Sequence, residues 1–566
     1  MKRLIIKSIL LAAALIMPGK SLAFMVDGIA YNILSETTCE VTSHNTIISN
    51  LEYKGNIVIP ENVTYNGRSY IVTEIDTKAF SNCLKLTSVE IPNTVTKIGG
   101  GAFMGCNNME NVALGNSVEE ILGMAFMSCW NLKSITIPNT VTYIGERAFF
   151  DCAGLTRITI PDAVTTIGQY AFARCHDLAS VTIGISVTKI DNYTFQDCEA
   201  LTSIVIPNTA QMIGYYAFDG CSSLKNVTIG NSVMNICGYA FQNCSSLESV
   251  IIPNSVITIE NYAFSGCLKL TNATIGNSVI DIGKGAFCYC GLLSIIIPNS
   301  IHMIRERTFQ GCDNLENVIM GNTVTSIGQG AFEDCLDLTK ITIPSTVTKI
   351  GMDAFSMSVV GPCALKTLVI EDGYKDLWND YRTFNKCPIE NLYLGRNLTY
   401  DVDASLETRP FTTLTTLIEI TIGNSVKDVT SINWTKNEGL KNIRLLTSIP
   451  PTSNTFTEEQ YENVKVTIPA GSLSAYQADE VWKNFWNIQE DEATGINNVE
   501  ACDGECIKVE NGNIVVDNAK GRVSVYDAAG TLVKNVKADG NRIDIAVPSR
   551  GVYIVRAGGK SVKVAM

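Results

Sequence analysis

Apolar residues recur along this chain with a fixed period. Residues 132–137 alternate between apolar and polar side chains, as the residues of a half-buried strand do. Pro138 ends this strand, because proline has no amide hydrogen to donate to a ladder. Residues 141–144 form a second short extended piece, and residues 148–152 fit one helical turn. The pattern therefore predicts coils that each contain two short strands and one helical turn.

Copies of this unit follow one another from residue 79 to residue 355. Thirteen phenylalanines mark them, from Phe80 to Phe355; eleven of the twelve intervals equal that between Phe80 and Phe103, and the interval from Phe287 to Phe309 is one residue shorter. Twelve of the 19 cysteines lie three residues after one of these phenylalanines. Such strict self-similarity is the signature of a solenoid. We expect a mainly β solenoid of parallel strands about 4.8 Å apart, with a small kink at the shortened coil.

A second period is superimposed on the first. The residue that closes the first strand of each coil alternates between proline and glycine, with one slip at Pro138 and Pro161. This alternation predicts that the array grew from a pair of coils, twice the length of the single repeat.

The segments on either side of the array have a different pattern. Residues 24–78 contain strand-like runs and a hairpin signal at Asn66-Gly67, and the period loosens after Phe355. Residues 472–490 have the apolar spacing of an amphipathic helix with aromatic anchors. The predicted organisation is a signal peptide (1–23), an N-terminal β cap (24–78), regular repeats (79–355), degenerate repeats with a C-terminal helical cap (356–489), a linker (490–506) and a small C-terminal β-sandwich (507–566).

Composition and charge narrow the class of protein. Apolar residues make up 46% of the chain and charged residues only 17%, which excludes wholesale disorder. The net charge is −13, and a polyanion repels nucleic acids and anionic membrane surfaces. We therefore expect no nucleic-acid partner.

The first residues have the pattern of an export signal. Lys2, Arg3 and Lys7 precede an apolar run over residues 9–17, and small residues lead to a cleavage point after Ala23. The apolar run is too short for a comfortable membrane span. We predict an exported protein with a cleavable leader and no integral membrane span; the alternative is an uncleaved N-terminal anchor.

Residues that carry chemistry are sparse. The chain has three histidines, His44, His176 and His302, each in a different repeat context, so a catalytic triad or a histidine-based metal site has little to build on. Motifs for metalloproteases, serine hydrolases, phosphate-binding loops and EF-hands do not occur in the sequence. We predict no enzyme activity, no metal and no cofactor.

The cysteines allow two interpretations. Stacked coils bring successive cysteines close together, but their parallel Cα–Cβ vectors oppose the near-perpendicular dihedral of a disulfide. A free cysteine is also a good small buried apolar residue, so we expect reduced structural thiols in the array. Cys502 and Cys506 lie in the predicted linker and are the candidate disulfide.

Specificity must lie where the coils differ, and a run of tyrosines is the clearest difference. Each lies immediately before the Ala/Thr-Phe pair, a position that holds Gly, Lys, Met, Arg or Asp in other coils and so indicates exposure. These tyrosines are Tyr170, Tyr193, Tyr216, Tyr239 and Tyr262. Tyrosine is enriched in interface hot spots, so this strip is the candidate partner-binding surface. The alternative is a structural aromatic ladder that covers the coil edges.

A second candidate surface is the outer face of the first strands. Its outward positions hold a row of threonines, which suit an exposed sheet by propensity alone. The row consists of Thr136, Thr159, Thr182, Thr228, Thr274 and Thr342. The sheet face of a solenoid is its usual recognition surface, so this face is the second choice.

The coil over residues 132–152 resembles the BspA-like class of leucine-rich repeats in bacterial surface proteins. The resemblance covers residues 79–355 almost coil for coil, and it implies a right-handed leucine-rich-repeat solenoid that binds host or bacterial proteins. The tail, with residues 525–530, 551–555 and 560–564, is similar to the C-terminal sorting domain of the type IX secretion system. That similarity implies export to the surface of a Gram-negative bacterium.

These observations predict a non-enzymatic surface or secreted protein that acts in adhesion through protein contacts. Two alternatives remain open. One is a glycan-binding module that stacks sugar rings on the tyrosines, and the other is a structural surface component that associates with itself.

Overall fold

The structure is a computed structural model that describes most of the chain after the predicted leader. It covers residues 23–44, 52–357, 363–380, 382–400, 411, 414–491, and 506–565 apart from 511–512, 518–519, 528–531, 540–541, 548–551 and 558–559. Two compact units are present, one formed by Met1–Asn442 and Pro451–Gln460 and the other by Ile443–Pro450 and Tyr461–Met566. Residues 1–22 of the predicted leader and most of the predicted linker lie outside the described residues.

Short strands make up the first unit. They are β1 (Ala23–Val26), β2 (Ile29–Ile33), β3 (Thr38–Thr42), β4 (Lys54–Val58), β5 (Asn62–Tyr65), β6 (Arg68–Ile75), β7 (Lys85–Glu90), β8 (Lys97–Ile98), β9 (Asn111–Ala113), β10 (Glu120–Ile121), β11 (Ser134–Ile135), β12 (Tyr143–Ile144), β13 (Arg157–Thr159), β14 (Thr166–Ile167), β15 (Ser180–Thr182), β16 (Ser203–Val205), β17 (Met212–Ile213), β18 (Asn226–Thr228), β19 (Asn235–Ile236), β20 (Ser249–Ile251), β21 (Thr258–Ile259), β22 (Asn272–Thr274), β23 (Asp281–Ile282), β24 (Ser294–Ile297), β25 (Met303–Ile304), β26 (Asn317–Met320), β27 (Ser326–Ile327), β28 (Lys340–Ile343), β29 (Lys349–Ile350), β30 (Thr367–Ile370), β31 (Leu377–Asn379), β32 (Asn391–Leu394), β33 (Leu398–Thr399) and β34 (Glu419–Ile422).

The N-terminal segment contains antiparallel strand pairs as well as parallel ones, such as β3 with β6. Strands β1, β2 and β3 form an antiparallel meander, and β5 and β6 form a hairpin. Asn66 and Gly67 both have positive φ, 50° and 76°, as the predicted two-residue turn requires. Strand β6 then pairs in parallel with β8. The antiparallel segment thus leads directly into the first coils.

Two parallel ladders run through the repeats. One consists of the first strand of each coil, as in β16-β18-β20-β22-β24-β26, and the other of the second strand, as in β17-β19-β21-β23. Partners lie one repeat apart in the sequence, for example Ile236 with Ile259. The predicted parallel solenoid of stacked coils is confirmed.

A column of phenylalanine rings forms the core of the coils. From Phe80 to Phe355 the ring centroids lie 4.9–5.8 Å apart and the rings are nearly parallel. The widest of these spacings, 5.8 Å, separates Phe287 from Phe309, where the coil is one residue short. Phe384 and Phe411 extend the column, so the degenerate coils keep the same core although their sequence period is lost.

The predicted helical turn in each coil is wrong. The segment around each phenylalanine is a series of tight turns, such as Cys221 N–H to the carbonyl oxygen of Phe218 at 3.2 Å. In this coil Tyr216 and Gly220 have positive φ, 55° and 74°, on either side of the phenylalanine. Left-handed residues at both positions break the right-handed helical path, so the chain turns sharply instead.

The Pro/Gly alternation has a structural counterpart. First strands pair over three residues from a proline coil to the next glycine coil, as in β16–β18 and β20–β22, but over one residue in the following step, as in β18–β20 and β22–β24. Proline cannot donate a backbone hydrogen bond to the preceding glycine coil. Within a pair, the two coils approach so closely that a Cβ at Gly230 would overlap the carbonyl oxygen of Pro207. The two-coil unit is therefore a unit of packing as well as of sequence.

The first unit ends in short helical pieces. A 3-10 helix, Trp434–Lys436, and helix α1 (Glu458–Asn463) follow the parallel strands. The indole of Trp434 stacks on Phe456 at 4.8 Å, and Gln460 Nε2 donates to the carbonyl oxygens of Trp434 and Asn437 at 2.8 and 2.9 Å. These contacts bury the indole ring of Trp434.

The second unit contains the remaining elements. They are β35 (Asn442–Leu445), β36 (Lys465–Ile468), α2 (Leu473–Ala478), a 3-10 helix (Trp482–Asn484), β37 (Ile488–Glu490), β38 (Cys506–Glu510), β39 (Asn513–Asp517), β40 (Lys520–Asp527), β41 (Leu532–Asp539), β42 (Ile543–Ile545), β43 (Val552–Ala557) and β44 (Lys560–Ala565). The predicted long helix over 472–490 is therefore wrong: Asp479 leaves the helical conformation with ψ 140°, and the segment ends as a strand. Its aromatic anchors Tyr476 and Trp482 are nonetheless buried.

The last strands form two antiparallel sheets. One has the order β38-β39-β42 and the other β41-β40-β43-β44. Ile514, Val516 and Ile545 from the first sheet share one apolar cluster with Val525 and Val555 from the second. No helix in the described part of the chain is long and apolar enough to cross a membrane.

Candidate functional site

The buried thiols and the candidate tyrosines lie on the same turns but in different environments. Each array cysteine is buried, and from Cys106 onward its Sγ points to the carbonyl oxygen of a phenylalanine in the preceding coil, as in Cys221 Sγ to Phe195 at 3.2 Å. Burial raises the pKa of Cys221 and Cys244. These thiols are part of the buried core and are not accessible to a binding partner.

The five tyrosines occupy a position with an unusual backbone. Their φ values lie between 55° and 61°, and the same position is left-handed in the other coils, where it holds Gly101, Gly285 and Gly330 among others. A side chain in this conformation costs roughly 1–2 kcal/mol because its Cβ crowds the following carbonyl oxygen. Glycine is free of that cost. The tyrosines therefore occur where glycine would be the less strained residue.

The tyrosine rings stack into a second aromatic column, which we call the tyrosine ladder. Successive ring centroids from Tyr170 to Tyr262 lie 4.4, 5.0, 4.5 and 5.2 Å apart. All five side chains are half-buried. The prediction of an exposed strip therefore needs a correction: the rings cover one another's faces, and only their edges and hydroxyl groups are accessible.

Both ends of the tyrosine ladder are closed. The guanidinium of Arg147 lies over the Tyr170 ring at 4.5 Å from its centroid, a cation–π contact. The Tyr262 ring lies against Gly285, where a Cβ would overlap the ring. The ladder thus lies between the coil that contains Arg147 and the coil that contains Gly285, and these two coils cover its end faces.

Sequence reasoning missed the residues that border the ladder. Phe150 lies edge-on to Tyr170 at 6.4 Å, and the Arg174 guanidinium lies 6.0 Å from the Phe150 centroid. Arg147 precedes Tyr170 by one repeat, so the repeat register itself could have identified it. Phe150 and Arg174 lie at other repeat positions, and only the fold brings them to the ladder.

Two tyrosines inside the ladder, Tyr193 and Tyr216, have a raised pKa. Burial raises the pKa of Tyr193, and the neighbouring Tyr170 raises it further. Burial also raises the pKa of Tyr216, with contributions from Tyr239 and Asp219. Phenol groups whose ring faces are covered can donate and accept hydrogen bonds along the edge of the ladder.

The second candidate surface is less polar than the sequence indicated. The threonine row of the first-strand face includes aliphatic members with exposed fractions of 51–69%. They are Val205, Ile251, Ile296 and Ile319. Grooves of about 480 and 560 Å³ open beside them, the first lined by Ile251, Thr274 and Ile296 and the second by Ile319 and Thr342. The first groove spans a proline coil, a glycine coil and the next proline coil, and the second lies at a step from a glycine coil to a proline coil.

The three histidines lie apart in different environments. His44 is buried, with Nε2 2.7 Å from the carbonyl oxygen of Gly28, and burial lowers its pKa. His176 lies 3.3 Å from Glu199, and His302 contacts the backbone of Ser300. Among the described residues, no group of three or more His, Cys, Asp or Glu side chains could hold a metal ion. Of the predicted disulfide pair, Cys506 begins strand β38, and Cys502 lies outside the described residues.

Comparisons with known proteins agree with the coil geometry. The model of the BspA type leucine rich repeat region (6 copies) matches residues 73–202, 189–278, 234–360 and 362–477. The chain belongs to the BspA-type leucine-rich-repeat family. Solenoids of this kind are typically non-catalytic scaffolds that bind other proteins.

Solved structures include several leucine-rich-repeat proteins. One from Bacteroides ovatus is 30% identical, with a TM-score of 0.54, over 67% of this chain and 99% of its own length. A leucine rich cell surface protein from Faecalibacterium prausnitzii is 31% identical, with a TM-score of 0.42, over 62% of this chain and 95% of its own. No curated protein matches this BspA-type chain.

Proposed function

We propose that this protein is an exported cell-surface adhesin that binds a protein partner along the edge of the tyrosine ladder. The observation that carries the proposal is the run of five consecutive tyrosines, Tyr170–Tyr262, at left-handed positions that hold glycine or various polar and charged residues in other coils. The family supports a protein-binding scaffold, and the interior of the coils is already complete without these rings.

Stability alone does not explain the tyrosine ladder. Four stacked pairs contribute about 0.5–1.5 kcal/mol each beyond area burial. Five side chains in the left-handed region cost about 1–2 kcal/mol each. The stacking contributes about 2–6 kcal/mol in total and the left-handed backbone costs about 5–10 kcal/mol, so ring stacking alone does not offset the backbone cost. A row of aromatic edges that adds little stability is consistent with selection for recognition, since tyrosine is a frequent hot-spot residue.

Export and surface location are parts of the same proposal. Residues 1–23 have the charge and length of a cleavable signal. We propose that the two C-terminal sheets form the predicted β-sandwich and that it acts as a type IX sorting domain at the outer membrane of a Gram-negative bacterium. Their shared apolar cluster supports a separate packing unit for this role.

The binding test compares the two candidate surfaces with substitutions that the repeat itself supplies. One variant replaces Tyr193, Tyr216 and Tyr239 by glycine, which other coils carry at that position. The matched control replaces Ile251, Ile296 and Ile319 by threonine, the commonest residue of that row. Arrays of host matrix proteins and bacterial surface proteins identify the partner, and surface plasmon resonance measures the Kd.

We expect the tyrosine variant to lose at least about tenfold in affinity and the threonine control to keep wild-type affinity. An unchanged Kd in the tyrosine variant, with an intact circular dichroism spectrum, would show that the ladder is only structural. Loss of binding in the threonine control alone would move the site to the first-strand face.

The glycan alternative has less support from the ladder geometry. Sugar rings stack on aromatic faces, and each inner face of the ladder is already in contact with another tyrosine ring. The self-association alternative is favoured by one observation, the exposed aliphatic residues of the first-strand face. Polysaccharide arrays and sedimentation velocity of the same protein distinguish these two alternatives from protein binding.

A further inference from the structure

The outer face of the first strands has an uncharged centre. Strands β18, β20, β22, β24 and β26 lie side by side in one parallel ladder, whose register joins Asn226, Ser249, Asn272, Ser294 and Asn317. The outward positions of these strands hold only asparagine, serine, threonine and isoleucine. Such a face can dock against another surface without the cost of removing a charge from water.

Isoleucine side chains make this face apolar. Ile251, Ile296 and Ile319 have exposed fractions of 69, 63 and 51%. Ile251 and Ile296 lie in the coils on either side of Thr274, and all three residues line the groove of about 480 Å³. Single exposed aliphatic residues are common on protein surfaces, but a group of them around one groove is typical of an interaction surface.

Charged residues border this face on one side. Lys225, Glu248 and Glu316 immediately precede strands β18, β20 and β26, and all three are exposed. In the part of the chain that the structure describes, neither Lys225 nor Glu316 takes part in an ion pair. Their charges are therefore available to a partner that docks on the face.

The border charges and the isoleucines are arranged symmetrically about strand β22. Lys225 lies two coils before β22 and Glu316 two coils after it, while Ile251 and Ile296 lie one coil before and one coil after. A twofold rotation about an axis in the face, parallel to β22, reverses the order of the coils. It therefore places Lys225 of one molecule opposite Glu316 of a second copy, and Ile251 opposite Ile296.

We propose that the first-strand face is the interface of a homodimer, in which two solenoids pack face to face and antiparallel with Thr274 of both copies at the twofold axis. The dimer contains two ion pairs between Lys225 and Glu316, because every contact of a twofold interface occurs twice. Ile251 and Ile296 of both copies form one apolar cluster between these ion pairs. A twofold interface closes on itself, so the product is a dimer and not an open array.

Charge complementarity selects this register over its neighbours. A shift of the second copy by one coil in one direction places Glu248 opposite Glu316, so that two like-charge pairs form. A shift by one coil in the other direction places Lys225 opposite Leu293 and removes both ion pairs. Like charges that face each other across an interface oppose association, whereas the register centred on β22 pairs opposite charges.

The dimer does not depend on the proposed function of the tyrosine ladder. The ladder lies on the turns around the phenylalanines, whereas Ile251 and Ile296 lie on the first strands. Each dimer therefore carries two ladders, and two linked binding surfaces bind a surface with many copies of a partner more tightly than one does. A measurement of the oligomeric state needs no binding partner, so its failure and that of the ladder proposal are distinguishable.

Charge reversal in sedimentation equilibrium tests the dimer and its register. We expect the purified full chain to form a dimer, and Lys225→Glu and Glu316→Lys each to raise the Kd of dimerisation at least about tenfold, because each variant creates two like-charge pairs. An equimolar mixture of the two variants should dimerise as the wild-type protein does, because the mixed dimer again has opposite charges at both contacts. This rescue also shows that both variants are folded.

The matched control is Lys427→Glu, which changes the net charge by the same amount at an exposed residue outside the first strands. It should leave the Kd of dimerisation unchanged, while Ile251→Thr combined with Ile296→Thr should raise it. A wild-type protein that stays monomeric up to about 100 µM would overturn the proposal. A dimer whose Kd is the same in the Lys225→Glu variant, or a mixture of the two charge variants that stays monomeric, would overturn it as well.

Discussion

Two aromatic columns run side by side through the same coils and differ in almost every other respect. The phenylalanine column is buried and continues through the degenerate coils to Phe411, whereas the tyrosine ladder is half-buried and spans only Tyr170–Tyr262. The residue that every coil keeps is the one that the fold requires. The residue that only five consecutive coils carry, at a strained backbone position, is where a selected function should be sought.

The largest effect should come from the phenylalanine column. Phe218→Ala removes a fully buried ring from between Phe195 and Phe241 and leaves a cavity. We expect a loss of about 3–5 kcal/mol in the free energy of unfolding, measured by urea denaturation. Phe218→Leu is the control and should lose less. A loss below about 1 kcal/mol in the alanine variant would contradict the structural role of the column.

A smaller loss should follow from separating the two coils of a pair. At Gly230 a Cβ would overlap the backbone of Pro207, which cannot move aside easily. We expect Gly230→Ala to destabilise the protein by about 1–3 kcal/mol in urea denaturation. The control is Gly439→Ala, because the nearest atom to a Cβ there is 3.9 Å away. Equal stability of the two variants would refute the close packing within a pair.

A substitution in the tyrosine ladder should change stability less than either. Tyr216→Gly loses two ring contacts, at 5.0 and 4.5 Å, but it also removes a side chain from a left-handed position. These effects oppose each other, so we expect the free energy of unfolding to change by less than about 1 kcal/mol. If Tyr216→Gly lowered the free energy of unfolding as much as Phe218→Ala does, the ladder would belong to the core.

The smallest effect concerns pH. Because burial raises the pKa of Tyr193 and Tyr216 in the folded protein, folding favours the neutral phenols. This contribution to stability is complete below the ordinary tyrosine pKa of about 10 and is lost as the pH rises through the folded values. Absorbance titration at alkaline pH should show both groups ionising late. The Tyr193→Phe, Tyr216→Phe variant should lose two phenols from the late-ionising component, to which buried tyrosines such as Tyr31 and Tyr476 also contribute; an unchanged titration curve would contradict the shift.

The repeat made the coils predictable because each position is observed many times. The strand positions, the buried cysteines and the parallel stacking all follow from residues such as Ile135, Cys152 and Pro138 in their common repeat register. The turn around each phenylalanine was predicted wrongly, because positions as different as Tyr216 and Gly220 share a left-handed backbone that no single residue type signals.

The candidate site was only half predictable. The register placed the five tyrosines in one column, but their mutual stacking depends on side-chain rotamers that the sequence does not specify. The apolar members of the first-strand face were overlooked because Ile251 and Ile296 interrupt a row otherwise read as threonine. Contacts between different repeat positions, such as that between Phe150 and Tyr170, required the folded coil.

The most direct test of the ladder as the recognition surface is hydroxyl-radical footprinting of the protein with and without its partner. Tyrosine rings are readily oxidised, so Tyr193, Tyr216 and Tyr239 report contact at their exposed edges. The account predicts that binding protects these tyrosines and leaves the labelling of Ile251 and Ile296 unchanged. Protection of Ile251 and Ile296 with unchanged labelling of the tyrosines would contradict it.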